Sequence, residues 1–173
     1  MARPSLLEPA RPLSTGRTVA RVALGAMLLF TGISHLTFAR REFIAQVPRS
    51  LPLSDDAVVL LSGAAELLIG ASLVALPTRR VPVGLATAAF FVAIFPGNIA
   101  QYLNGVSAFG LDTDGKRLAR LFFQPALVAW ALHSTGAWEW LRDREPPRSR
   151  RDRVSAPSPG SRDRAAPGPD APS

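Results

Sequence analysis

Apolar positions along the chain gather into four long runs, at residues 19–38, 57–76, 81–103 and 118–141, with polar stretches between them. The first three each reach the roughly 20 residues that cross a hydrocarbon core of about 30 Å. The fourth is interrupted by Arg120, Gln124, Pro125 and His133 and closes on Trp138, Trp140 and Arg142, the aromatic and basic edge expected at a membrane interface. Lipid offers the backbone no hydrogen bonds, so spanning segments must be helices or closed barrels. The pattern therefore predicts an all-α fold, an integral membrane four-helix up-and-down bundle, with connections of about 18, 4 and 14 residues.

The flanks read differently. Residues 1–18 and 142–173 are rich in Pro, Ser and Arg with little to bury, and disorder is expected in both. The first run is longer than a signal-peptide core and lacks a small-residue cleavage site after it, so it is expected to stay as an anchor. Around these spans, 14 of the 20 Arg and Lys residues fall on the side shared by the two termini and the 77–80 connection. The positive-inside tendency then places both termini in the cytoplasm. The first outer connection, with Phe43, Ile44 and Val47, reads either as a short interfacial helix ending before Pro48 or as an ordinary surface link.

Composition narrows the function classes. A net charge of +7 explained by membrane topology gives no reason to expect a nucleic-acid partner. With no cysteine, the chain itself carries no disulfide, thiolate metal site or cysteine-ligated cluster, and a redox role would need a borrowed electron carrier. No phosphate-cradling glycine loop, nucleophile elbow or metal-ligand spacing occurs, so neither a metal site nor self-contained catalysis is expected.

Strongly polar residues inside the spans carry the chemical interest: His35, Glu66, Asn98, Arg120 and Gln124. At about 1.5 Å per residue, four of them fall roughly 3 to 9 Å from the outer ends of their spans, with Glu66 at about 14 Å. They are expected to converge in the outer half, Arg120 and Gln124 sharing a face and Glu66 reaching toward Arg120 or Asn98. Glu66 reads either as a proton carrier or ligand anchor, or as a structural tie. His35 and His133 lie near opposite ends, which argues against a bis-histidine haem within the chain. Pro96, Gly97 and Pro125 are expected to break their helices and widen the outer half into a pocket.

Taken in order, GISH at 32–35, VPRSLP at 47–52, SGAAELLIG at 62–70, FPGNI at 95–99 and RLFFQP at 120–125 resemble the DoxX family of small membrane proteins. The resemblance runs from Val19 to about Trp140 and implies a four-helix integral membrane fold in a bacterial plasma (inner) membrane. The family takes its name from a subunit of a thiosulfate:quinone oxidoreductase, and other members are linked to membrane redox or oxidative-stress assemblies. His35, Glu66, Asn98, Arg120 and Gln124 match its pattern as a shared polar core. The expectation that follows is an accessory subunit, without an intrinsic cofactor, that binds a quinone-like lipophile beside a redox partner protein; self-association into a homo-oligomer stays open. A small-solute or proton transporter and a ligand-free membrane scaffold are the alternatives.

Overall fold

The structure, a computed structural model, describes Leu6 and residues 12–48 and 52–144. The expected disorder of most of residues 1–11 and of the tail beyond residue 144 lies outside the described residues. Among the described residues every regular element is helical: α1 Thr15–Leu36, α2 Arg40–Ile44, α3 Asp55–Ala75, a 3-10 turn Pro77–Arg79, α4 Arg80–Leu103, α5 Asp114–Thr135 and α6 Ala137–Arg144. Three helical segments, Thr15–Leu36, Asp55–Ala75 and Pro77–Leu103, are long and apolar enough to cross a membrane. The fourth long helix, α5, carries Lys116, Arg117, Arg120 and Gln124 and is less apolar.

Two boundaries correct the sequence reading. Helix α1 starts at Thr15, inside the segment expected to be disordered, because the Ser14 hydroxyl accepts the Arg17 N–H at 3.4 Å and caps the first turn. The last apolar run is not one helix. It divides at Gly136, whose φ of +78° ends α5 in the left-handed conformation before α6 begins. Pro96 and Pro125 sit inside continuous helices, each removing one backbone donor without ending its helix.

Close contact between α1 and α3 depends on paired glycines. A Cβ on Gly25 would lie 2.9 Å from the Gly70 carbonyl oxygen, and one on Gly32 would lie 3.0 Å from that of Gly63. The pairs advance along α1 as they retreat along α3, so the helices are antiparallel, backbone against backbone. Helices α4 and α5 also approach closely at Gly84, where a Cβ would collide with the Thr135 side chain. The Trp130 Nε1–H donates to the Ala20 carbonyl at 3.0 Å and ties α5 to α1. Leu24, Leu28, Leu73, Phe91, Ala131 and Leu132 fill the space between these helices.

The end holding Thr15, Ala75, Arg80 and Thr135 is termed proximal, and the opposite end distal. At the proximal end the last carbonyls of α5 accept from arginines: Arg17 donates to His133 O, through Nε at 2.8 Å, and Arg80 Nε donates to Thr135 O at 3.0 Å. Such donors satisfy the orphan carbonyls of a helix C-terminus. Arg17 also grips Glu139 with two guanidinium nitrogens, each at 3.0 Å. Burial pushes the Glu139 carboxyl up, but the hydrogen bond and charge of Arg17 outweigh it and hold the group below its ordinary value of 4.5. A carboxyl depressed on folding stabilises above the unfolded pKa, and that stability disappears as pH falls through the lower folded value. Thermal melts in detergent from pH 7 to pH 3 should therefore show an acid loss of under about 1 kcal/mol that Glu139→Gln removes; half the side chain faces solvent, which keeps the loss small. An unchanged pH profile in the variant would refute this.

Candidate functional site

The five polar residues read from the sequence form two pairs and a cation–ring contact. Glu66 meets His35: its Oε2 lies 3.0 Å from His35 Nδ1, both side chains about 8% exposed. The same ring nitrogen donates to the Thr31 carbonyl at 2.9 Å, which fixes the proton on Nδ1. Glu66 Oε2 is left close to that N–H but without an aligned hydrogen bond. Gly63 makes the encounter possible, since a Cβ there would fall 2.8 Å from His35 Cβ.

Asn98 and Gln124 join α4 to α5. Asn98 Nδ2 donates to Gln124 Oε1 at 2.9 Å, and Gln124 Nε2 donates to the Phe91 carbonyl at 2.5 Å. Glu66 is thus engaged with His35, not with Arg120 or Asn98. Arg120, the expected counter-charge, forms no ion pair among the described residues and instead lies over the Phe109 ring at 5.7 Å.

A distal cap connects these groups. Phe43 of α2 stacks on His35 with ring centroids 3.3 Å apart, and the Phe109 ring meets Phe43 edge-on at 4.6 Å. A line of rings therefore runs from His35 to Arg120. Of the two readings of the first connection, a short helix is present as α2, followed by turns that reach Pro48. Arg40 holds α2 to the start of α3 through Asp56, at 2.6 to 2.9 Å. Glu42 Oε2 accepts the Phe109 N–H at 2.8 Å and holds that residue at a φ of +55°, a conformation a bulky side chain rarely adopts. Lys116 closes the loop by donating to Gly110 O and to Asp112, and its hydrogen bond holds the Asp112 carboxyl below the ordinary value.

Beside the cap lies a cavity of about 570 Å³ lined by residues 45–48 and by Ala100, Gln101, Asn104 and Val106. That is a size typical of small-molecule sites. Gly97 faces the turns that follow α2, with the Gln46 carbonyl 3.8 Å from where its Cβ would be. The cavity opens between residues 45–48 and the end of α4. Gln101 donates to Val106 O at 3.4 Å, while the buried Gln46 Nε2 has no partner among the described residues. Sequence reasoning missed Gln46, Gln101, Phe43 and Phe109 as site residues. Gln101 had a readable signal, a second amide one turn beyond Asn98 in an apolar run; Phe109, in a loop, had none.

These features define an all-helical protein with membrane-capable helices and a polar, ring-capped distal end. Residues 24–135 match the model of a family described as a domain of unknown function (DUF8561), and the chain belongs to that family. Neither a curated protein nor a solved structure matches it.

Proposed function

We propose that the chain is a multi-pass, DoxX-like membrane protein that holds a quinone-like lipophile in its distal cavity, as an accessory subunit beside a membrane redox partner. In this reading α1, α3, α4 and α5 form a four-helix up-and-down bundle in a bacterial plasma membrane, with both termini cytoplasmic. The distribution of polarity supports the membrane placement: Phe30, Leu61, Leu68, Phe122 and Phe123 are more than 60% exposed, while Glu66, Asn98, Gln101 and Gln124 are buried. Water would favour the reverse, and lipid favours this arrangement.

The observation that carries the ligand reading is the distal cavity lined in part by Gln46, whose Nε2 is buried and unpaired among the described residues, two residues beyond the helix that stacks Phe43 on His35. A quinone ring supplies carbonyl acceptors for such an amide and a flat face for the aromatic cap. The carboxyl–imidazole contact places two proton-exchanging groups beside that cap. Titrating a short-chain quinone into the purified protein while following thermal unfolding tests the proposal. Wild type should be stabilised, and Gln46→Ala and Glu66→Gln should each weaken apparent affinity by about tenfold. No shift in wild type, or the same shift in both variants, would overturn the site.

A scaffold role is the second reading, and a different observation favours it: the Asn98–Gln124–Phe91 link is closed on itself, with both amide side chains engaged between α4 and α5. On that reading these amides hold α4 against α5 and nothing else.

A further inference from the structure

Three arginines gather at the proximal end, and their hydrogen bonding is unequal. Arg17 and Arg80 donate to the terminal carbonyls of α5, and their guanidinium groups converge over Gly136, at 3.6 and 3.7 Å from where its Cβ would be. Arg21, one turn along α1 from Arg17, is 4% exposed, and its Nε and Nη1 have no acceptor among the described residues. Arg17, Arg21 and Glu139 all act electrostatically on Arg80, and Arg17 already grips Glu139. A buried guanidinium with unmatched N–H groups is unfavourable, and an anion with several acceptor oxygens removes both the charge and the hydrogen-bond deficit.

The geometry points to a phosphate-binding site built on Arg21, with Arg80 and Arg17 around it. The planar fork of a guanidinium matches phosphate oxygens in pairs. The long arginine stem lets the head swing toward the membrane surface to receive one. Two sources present this chemistry at a basic membrane edge: the phosphodiester of an anionic lipid headgroup and free phosphate. The site shares only the membrane placement with the proposed function, and no residue of the distal cavity belongs to it.

Melting curves of the full chain in a maltoside detergent, with phosphatidylglycerol or with inorganic phosphate, test the inference. At about 100 times the dissociation constant, wild type should gain roughly 5–10 °C. Arg21→Met should gain nothing, and without additive it should melt at or above wild type, having lost an unmatched buried charge. A shift dependent on Arg21 with the lipid alone assigns a headgroup, and one reproduced by inorganic phosphate assigns the free ion; either supports the site. No shift with either, or equal shifts in wild type and Arg21→Met, overturns it. Native mass spectrometry provides a readout that does not need Arg21→Met to fold: Arg21→Lys should retain phosphatidylglycerol at about one-tenth the wild-type occupancy, since an ammonium cannot pair two phosphate oxygens in a planar fork. Equal retention would also overturn the site. Quinone titration of the same variants should be unaffected, so failure here is distinct from failure of the distal site.

Discussion

Replacing Gly70 with leucine is expected to stop α1 and α3 from seating and to lower the melting temperature by roughly 10 °C or more. A Cβ at this position would lie 2.8 Å from the Gly25 carbonyl oxygen and 2.9 Å from the Leu29 nitrogen, both backbone atoms. Neither can yield unless the whole of α1 moves. Leucine gains up to about 1 kcal/mol of helix propensity over glycine, but overpacking costs about 1–3 kcal/mol even where side chains alone must shift. Steric exclusion therefore decides the sign. Gly16 is the matched control: it is helical, and nothing lies within 4 Å of its Cβ position. Gly16→Ala should leave melting unchanged or raise it slightly. Thermal unfolding in detergent checks both, and Gly70→Leu melting with Gly16→Ala would show that α1 and α3 are not in backbone contact.

The same interface explains which parts of the molecule were legible beforehand. Apolar length placed α3 and α4 to within two residues at each end, because in these helices the apolar run and the hydrogen-bonded run coincide. At α1 they do not. Ser14 caps a first turn made of Thr15, Gly16 and Arg17, and a hydroxyl cap leaves no trace in a hydrophobicity pattern. The last run hid its break for a related reason, since the left-handed turn at Gly136 interrupts backbone geometry inside a run that resumes with Ala137, Trp138, Trp140 and Leu141. The partners of the polar residues could not be read from their positions along each span. Glu66 meets His35 because Gly63 and Gly32 set how closely α1 and α3 approach, a three-dimensional consequence of glycines that any helix could carry. Arg120 faces a ring contributed by a loop residue, Phe109, that follows no helical period.

Changing Gln124 to leucine separates the fold from the site. The variant removes the acceptor of Asn98 Nδ2, leaving a buried amide without its partner between α4 and α5. Stranding a buried polar group costs about 1–3 kcal/mol, and interhelical hydrogen bonds in lipid fall near 0.6–1.7 kcal/mol, so a loss of about 1–2 kcal/mol is expected. Adding Asn98→Leu should recover most of it. With both amides replaced by apolar groups of comparable size, no buried donor is left unmatched, and the double variant should melt closer to wild type than either single one. Additive losses would show that the two amides do not act as a pair. Quinone affinity provides the complementary reading in these three proteins. If Asn98 and Gln124 serve only to hold α4 against α5, affinity of the folded double variant should match wild type, whereas Glu66→Gln should lower affinity with little change in melting. The two polar pairs would then divide the work, one joining helices and the other acting on the ligand through the aromatic cap; affinity falling in step with the loss of Asn98 and Gln124 would place them in the ligand site and remove that division.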